Sequence, residues 1–181
     1  QEPAKIDVIK QANLGGSGGF ARVFHELEAS NLDGFLVLDG DIELDPEIIE
    51  RIINIAIATG NRVALGTQML NQRVPTELFN QNEVVSMGDL WSIPNPMGLT
   101  NVHANTPQNL TSPPTQLPWW CAYFPMEAVR KVGLPFPFFI HWDDTDFSIR
   151  LGKAGVQLDV VPGCAVWHEP FDGKPTSGWM S

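Results

Sequence analysis

The chain has 181 residues and carries 21 acidic against 11 basic side chains, a formal net charge of −10. This length suits one domain with a core of its own. The charge argues against a nucleic-acid partner, because phosphate backbones are bound by clustered Lys and Arg, and no apolar run approaches the ~20 residues that cross a bilayer.

The first residues predict alternating strands and helices. Residues 5–10 alternate in polarity like a short strand, and the glycine-rich stretch NLGGSGG then predicts a loop that leads into a helix. The apolar positions of that helix, from Phe20 to Leu27, recur at helical spacing. GFLVLDGD follows as a compact apolar run that ends in carboxylates, which is typical of a buried strand.

The alternation continues through the next thirty residues. Asp45 is placed to cap a helix that has Pro46 in its first turn, and RVALGTQML is typical of another strand. This order favours an α/β fold with a mostly parallel sheet and flanking helices. Ligands of such sheets bind beyond the carboxyl ends of the strands, where Asp39 and Asp41 are expected.

The middle of the chain lacks a regular pattern. Residues 92–118 are rich in Pro, Asn and Thr, which predicts a mobile lid, a binding loop or a disordered insert. Order resumes with a strand at 119–124, a short helix from Met126, a helix through DDTDFSIRLGKAG that ends at Gly155, and a last strand before His168. We find no internal repeat, so residues 1–181 are expected to form a single domain.

Asp39 and Asp41 are candidate metal ligands. They flank Gly40, so on an extended backbone both side chains point the same way. Mg²⁺ or Mn²⁺ is commonly held by one or two protein acids together with substrate phosphates. A solvated or capping turn is the alternative. His168, at the end of the last strand, is either a third ligand or a structural histidine.

Three aspartates follow the aromatic run PFPFFIHW. Asp143 and Asp144 begin the predicted helix, where the macrodipole favours carboxylates, and Asp146 can pair with Arg150 one turn later. That explanation covers Asp146 better than the first two acids, which lie where desolvation is costly. A carboxylate there could accept the proton of an attacking hydroxyl group.

Trp119 and Trp120 stand at the start of the strand predicted at 119–124. Paired tryptophans most often pack in a core or at its rim. Beside a carboxylate cluster they could instead form a platform on which a sugar stacks.

The order of these motifs resembles the inverting family 2 glycosyltransferases of the GT-A fold, most closely the bacterial galactofuranosyltransferases. The pieces that carry the resemblance are NLGGSGG after a strand, LDGDIELDPE, WW, WDDTDFSIRLGKAG and PGCAVWHEPF, which together run from about residue 5 to residue 168. Each motif is weak alone, but five in this order and spacing are specific.

The resemblance implies a role for each candidate residue. Asp39 and Asp41 would be the Asp-x-Asp pair that holds Mn²⁺ or Mg²⁺, with His168 as the third ligand, and Asp144 would be the catalytic base. Asp143, Trp119 and Trp120 would contact the acceptor, and Gly15 and Gly16 would lie on the donor side of the site.

The resemblance also implies partners and a setting. The donor would be UDP-galactofuranose or another UDP-sugar, and the acceptor a glycan or glycolipid of cell-surface polysaccharide synthesis. We expect a cytoplasmic location at the inner face of the plasma membrane, with any peripheral membrane association through parts outside this chain. Family members begin with a β-α-β segment that grips the uridine, and because the chain lacks it and has no initiator Met, we expect an N-terminally truncated catalytic domain.

Two other functions compete with this interpretation. LDGD after a strand and a later Asp pair also occur in phosphotransferases of the haloacid-dehalogenase type, although the expected Lys before the second acid cluster is absent. A glycan-binding module or inactive transferase fragment is the other alternative. The two cysteines, Cys121 and Cys164, are not in metal-ligand spacing and are expected to be buried thiols in a reducing compartment.

Overall fold

The structure, a computed structural model, describes residues 6–80, 83–86, 89–92, 97–98 and 115–170. In chain order these residues form α1 (Gly15–Glu28), β1 (Gly34–Leu38), α2 (Pro46–Ala58), β2 (Val63–Asn71), β3 (Glu77–Asn80), β4 (Glu83–Ser86), β5 (Asp89–Ser92), β6 (Met97–Gly98), β7 (Cys121–Pro125), α3 (Met126–Val132), α4 (Asp143–Lys153) and β8 (Gln157–His168). No helix in this described part is long and apolar enough to cross a membrane.

The main sheet has the order β1-β7-β2-β3-β6, and β8 pairs along β2. Strand β7 is antiparallel to both β1 and β2, whereas β2 and β8 are parallel. The α/β prediction with flanking helices is therefore confirmed, but the predicted mostly parallel sheet is matched only in part, because the sheet is mixed. Since β7 is antiparallel to each of its neighbours, β1, β2 and β8 still run in one direction and end at the same edge.

Helices cover both faces of the sheet. Ala122 and Phe124 of β7 face a core cluster that includes residues of α1, α3 and α4, while Cys121 and Tyr123 face a second cluster with α2. This division follows from the alternation of side chains along a strand. Cys121 and Cys164 are both free and buried in the second cluster, and burial raises the pKa of Cys121 to about 11.

Local sequence signals fix the ends of the predicted helices. The Asp45 carboxylate accepts a hydrogen bond from the Glu47 amide at 3.0 Å, with Pro46 as the first helical residue of α2. Helix α4 ends shortly before Gly155, which has a φ of +78°. Both features match their predictions, because caps depend on residues adjacent in sequence.

Two predictions near the start of the chain are wrong. Residues 6–13 form no strand, and Ile6 and Val8 are 83% and 78% exposed. Alternating polarity makes a strand only when another strand pairs with it, and none does so within the described residues. Residues 15–19 of the glycine-rich stretch belong to α1 rather than to a loop, and the Asn13 side chain just before the helix accepts a hydrogen bond from the Gly15 amide at 3.0 Å.

Most of the predicted loop at 92–118 lies outside the described residues, so its mobility stays a prediction. Within it, β6 pairs with β3. Its last two residues, Leu117 and Pro118, are buried: Leu117 is fully buried, and its amide donates to the Ser148 hydroxyl at 3.0 Å.

Candidate active site

The turn that carries Asp39 and Asp41 is hydrogen-bonded to the residue just before β7 on one side and to β8 on the other. The Asp39 amide donates to the Trp120 carbonyl at 3.1 Å. Further along, Glu43 and Trp167 exchange two backbone hydrogen bonds of 2.9 and 2.8 Å. The turn after β1 is therefore fastened to the end of β8, although the two strands are not neighbours in the sheet.

His168 completes β8 at the same edge. It lies opposite Asn71 in the parallel pairing with β2, and its carbonyl accepts from the Gln72 amide at 3.0 Å. Its Nε2 atom is 3.2 Å from Asp41 Oδ1 and 3.8 Å from Asp39 Oδ2. One ligand atom from each of the three residues lies within 4.8 Å of the others, so the structure brings together the three residues that the sequence singled out.

The protonation of His168 is constrained by its other ring nitrogen. Nδ1 is 2.7 Å from the Glu169 carbonyl oxygen. A carbonyl only accepts hydrogen bonds, so Nδ1 carries the hydrogen and Nε2 faces the two aspartates. Burial lowers the pKa of His168, but hydrogen bonding to Asp39 and Glu169 and the charges of Asp41 and Asp39 outweigh burial, and the pKa is raised.

The donor set of this cluster fits a divalent cation. Two carboxylates and one imidazole suit Mn²⁺, and less well Mg²⁺, which prefers oxygen ligands. The Nδ1 hydrogen bond to a backbone carbonyl is the usual way in which a ligating histidine is oriented. The His168 side chain is 3% exposed, whereas those of Asp39 and Asp41 are 48% and 58% exposed, which leaves the solvent side of the cluster accessible to a substrate.

Asp144 lies in the first turn of α4, where both of its carboxylate oxygens accept hydrogen bonds. Its Oδ1 accepts from the Thr145 amide at 2.7 Å, and its Oδ2 accepts from the Gln116 side chain at 3.4 Å. Burial, followed by the charge of Asp143, raises the pKa of Asp144 to about 6, although these hydrogen bonds act in the opposite direction. A carboxyl group with this pKa is mostly ionised at neutral pH and can accept a proton.

A short segment of chain contacts both parts of the site. Gln116 donates to Asp144, and the carbonyl of Trp120 accepts from the Asp39 amide. Residues 116–120 therefore connect the candidate base to the candidate metal cluster. Sequence reasoning did not single out Gln116, because it lies at the end of a stretch with no pattern.

Asp146 forms the predicted pair with Arg150, at 2.8 Å. The pair is more than a helix-surface contact, because the two side chains are only 25% and 19% exposed. Arg150 also donates to the carbonyls of Val132 and Leu134 at 2.7 and 3.1 Å. Asp146 is thus a structural residue that orients Arg150.

Trp119 and Trp120 are both buried, at 4% and 6% exposure. They lie on opposite faces of the sheet: Trp119 packs against Phe20 and Phe24, whereas Trp120 lies in the cluster with α2 and donates to the Thr67 carbonyl at 3.1 Å. The reason is that successive residues of an extended chain point in opposite directions. A shared stacking platform for a sugar does not fit this placement.

The exposed aromatic ring beside the acids is instead that of Trp142, which is 43% exposed and directly precedes Asp143. The signal in the sequence is that an aromatic run in a turn, with no helical or strand spacing, cannot bury all of its rings. Gly15 and Gly16 lie in the first turn of α1. Gly15 packs against the backbone of Phe139, while a Cβ on Gly16 would meet nothing within 4 Å.

Comparison with known proteins gives a consistent relationship. No protein-family model matches the chain. Galactofuranosyltransferase GlfT2 of Mycobacterium tuberculosis (strain ATCC 25618 / H37Rv) and GlfT2 of Mycolicibacterium smegmatis (strain ATCC 700084 / mc(2)155) are each 30% identical to it over 183 aligned positions. These alignments cover 94% of this chain but only 29% and 28% of the relatives, so the chain spans less than a third of their length. The similarity relates this chain to glycosyltransferases.

Proposed function

We propose that the chain forms the metal, base and acceptor part of an inverting, GT-A-fold glycosyltransferase that moves galactofuranose from UDP-galactofuranose to a glycan or glycolipid acceptor. The observation that carries the proposal is the convergence of Asp39, Asp41 and His168 within 4.8 Å, in a chain 30% identical to galactofuranosyltransferases. The setting would be cell-surface polysaccharide synthesis at the cytoplasmic face of the plasma membrane.

The arrangement of the three ligand candidates supports the binding of a diphosphate donor. A cation held by Asp39, Asp41 and His168 would neutralise the diphosphate leaving group. The two carboxylates are exposed and His168 is buried. The protein would therefore bind the cation on its buried side, and the coordination positions on the solvent side would be open to the donor.

Asp144 would carry the proton transfer. Its carboxylate takes the proton of an acceptor hydroxyl, the hydroxyl oxygen forms a bond to the anomeric carbon, and the bond from that carbon to the diphosphate oxygen breaks with its electron pair going to UDP. Attack from the face opposite UDP inverts the anomeric centre. A positioned base of this kind contributes typically ~10²- to 10⁴-fold in rate.

The acceptor side of the site is proposed to include Asp143 and the ring of Trp142. Asp143 is adjacent to the base candidate, and Trp142 is the exposed aromatic residue next to it. A ring face with water on one side can stack on the C–H face of a sugar, which neither buried tryptophan can do.

A transfer assay on the full protein tests this function. UDP-galactofuranose, UDP-galactopyranose and UDP-glucose would each be offered with Mn²⁺ and with a set of galactofuranose-containing oligosaccharides, free and lipid-linked. We expect transfer from UDP-galactofuranose, loss of transfer with EDTA, and an inverted anomeric configuration by NMR. Absence of both transfer and UDP release with every donor would contradict the proposal, and formation of an aspartyl phosphate at Asp39 would favour the phosphotransferase alternative.

A further inference from the structure

Gly15 makes the closest glycine contact in the described part of the chain. A Cβ built on it would lie 1.8 Å from the carbonyl oxygen of Phe139 and 2.7 Å from the carbonyl carbon. Both are backbone atoms, which cannot turn away as a flexible side chain can. Gly15 also has a φ of +73°, which L side chains rarely adopt. The contact therefore depends on glycine for two separate reasons.

Phe139 belongs to a segment that we call the aromatic loop, residues 134–142. Arg150 of α4 holds the beginning of this loop: its guanidinium donates to the Val132 and Leu134 carbonyls and lies 4.5 Å from the centroid of the Phe136 ring. Gly15 of α1 contacts the middle of the loop. The aromatic loop is thus seated between two helices.

The end of the aromatic loop is strained and leads directly into the candidate base. His141 and Trp142 have φ values of 66° and 71°, a backbone conformation that persists in such residues only where neighbouring structure enforces it. Trp142 is the N-cap residue of α4 and gives no side-chain cap, while its carbonyl accepts from the Asp146 amide at 2.8 Å. Phe139 precedes Asp143 by only four residues, so a displacement at Phe139 would occur close to the start of α4.

We infer that Gly15 is a positioning residue: the absence of a side chain there seats the aromatic loop and fixes the start of α4, which carries Asp144. The inference rests on the proposed function for the role of Asp144 as base. It gives Gly15 a structural role inside the protein, while the donor-side position that the resemblance implies for Gly15 stays a prediction.

The expected effect follows from the distances. Real Cβ atoms essentially never approach other atoms within 3.0 Å, so the 1.8 Å contact requires the loop and α1 to move apart by at least about 1.2 Å, the difference between the two distances. A misplacement of about 1 Å can cost ~10²-fold in rate. We expect Gly15→Ala to lower kcat about 10- to 100-fold. The Mn²⁺ concentration for half-maximal activity should not change, because Asp39, Asp41 and His168 lie on other elements.

Two glycines of the same chain provide matched controls. Gly155 has a φ of +78° and nothing within 4 Å of a built Cβ, so Gly155→Ala introduces the backbone strain without the clash. Gly19 lies in α1, also with nothing within 4 Å, so Gly19→Ala introduces neither. We expect a reduced melting temperature but a wild-type kcat for Gly155→Ala, and a wild-type kcat for Gly19→Ala.

The test compares the three variants with the wild type in the full protein, by steady-state kinetics and by amide hydrogen exchange. Faster exchange at residues 136–142 in Gly15→Ala alone, with reduced kcat and an unchanged Mn²⁺ requirement, supports the inference. Unaltered exchange at these residues, or a kcat reduced equally in Gly155→Ala, overturns it. Exchange requires no substrate, so a wild type without transferase activity would contradict the proposed function but would leave the seating of the loop measurable.

A second variant covers the case in which Gly15→Ala does not fold. Arg150→Lys removes the bidentate hold on the Val132 and Leu134 carbonyls, and so releases the aromatic loop from its other side. Faster exchange at residues 136–142 together with a reduced kcat supports the conclusion that the position of the aromatic loop determines the position of Asp144. Faster exchange with a wild-type kcat overturns it.

Discussion

Asp144 combines a fixed carboxyl group with a raised pKa. The Thr145 amide and Gln116 hold its two oxygens, while burial and then Asp143 raise its pKa to about 6. In the full protein, Asp144→Asn should cut kcat by at least about 10²-fold, because it removes the proton acceptor. Mn²⁺ binding should persist, since Asp144 is not among the three clustered ligand candidates.

The matched control for this substitution is Asp159→Asn, which removes one carboxylate from an exposed position of β8. Asp146→Asn is a poorer control, because it also releases Arg150 from its 2.8 Å pair. We expect wild-type kcat for Asp159→Asn. A kcat of Asp144→Asn within a few-fold of wild type would place the base elsewhere.

Asp144 should also cost the protein stability at neutral pH. Its pKa of about 6 in the folded state lies above the usual 3.8, so the folded state holds the proton more tightly than the unfolded state. Stability therefore falls as the pH rises from about 4 to about 6 and stays lower above that range. A difference of this size corresponds to at most about 3 kcal/mol.

This cost gives a pH-dependent prediction for Asp144→Asn. The variant should be more stable than the wild type at pH 7, and the difference should vanish below about pH 4, where the wild-type carboxyl group is protonated in both states. Urea unfolding in the presence of a chelator, across this pH range, measures it. A difference that is the same at every pH would show that the carboxyl group does not titrate abnormally.

The cation cluster predicts a different phenotype for Asp41. Asp41→Asn weakens the donor whose oxygen lies 3.2 Å from His168 Nε2, and should raise the Mn²⁺ concentration for half-maximal activity by at least about tenfold. Asp45→Ser is the control, because it removes a carboxylate four residues away while a Ser hydroxyl can still cap α2. Equal shifts in both variants would indicate general loss of negative charge rather than loss of a ligand.

At the scale of elements, the sequence predicted what depends on adjacent residues. The cap at Asp45, the helices α2 to α4 and the strands β1, β2 and β8 follow from local spacing and punctuation. Strand pairing is not local. The sequence around residues 6–13 does not indicate that they lack a partner strand in the described chain, and the sequence around β7 does not indicate that it lies antiparallel between β1 and β2.

The same distinction applies to the candidate site, where some residues could be placed from local sequence and others depend on tertiary packing. Asp39, Asp41 and His168 could be placed at strand ends because β1 and β8 carry clear strand patterns and run in the same direction. The burial of Trp119 and Trp120 on opposite faces depends on how the chain enters β7, and the packing of Gly15 on Phe139 depends on the distance between two segments far apart in sequence. Neither can be inferred from residue spacing.

Helix α1 is anchored to the sheet through Phe24. This fully buried ring has four aromatic neighbours, Phe35, Trp119, Phe124 and Phe147, with centroids between 4.8 and 5.6 Å away. Phe24→Ala should lower the free energy of unfolding by about 3–5 kcal/mol, because it leaves a cavity among these rings. Val23 on the same helix is 39% exposed, and Val23→Ala should change stability by less than about 0.5 kcal/mol. Similar losses in the two variants, measured by chemical denaturation, would mean that α1 is not held by its buried face.

At the scale of the whole molecule, the cation cluster joins parts of the fold that are far apart in sequence. Asp39 and Asp41 follow β1, His168 ends β8, and β7 and β2 lie between these strands in the sheet. Without a cation, the cluster holds two carboxylates around one buried imidazole in a chain of net charge −10. A bound cation would offset that charge and connect the end of β1 to the end of β8 at one edge of the sheet.

Mn²⁺ should therefore stabilise the whole fold and not only support activity. A ligand that binds only the folded state at 100 times its dissociation constant adds about 2.7 kcal/mol to the free energy of unfolding, and since an imidazole favours Mn²⁺ over Mg²⁺, the same concentration of Mg²⁺ should add less. The measurement is the melting temperature of the full protein with Mn²⁺, with Mg²⁺ and with EDTA, for the wild type, Asp41→Asn and Asp159→Asn. We expect Mn²⁺ to raise it in the wild type and in Asp159→Asn, and to have little effect in Asp41→Asn. A rise of the same size in all three proteins would place the cation at another acidic surface. No rise in the wild type at Mn²⁺ concentrations that saturate activity would show that the cation does not stabilise the fold and that it binds through the donor diphosphate.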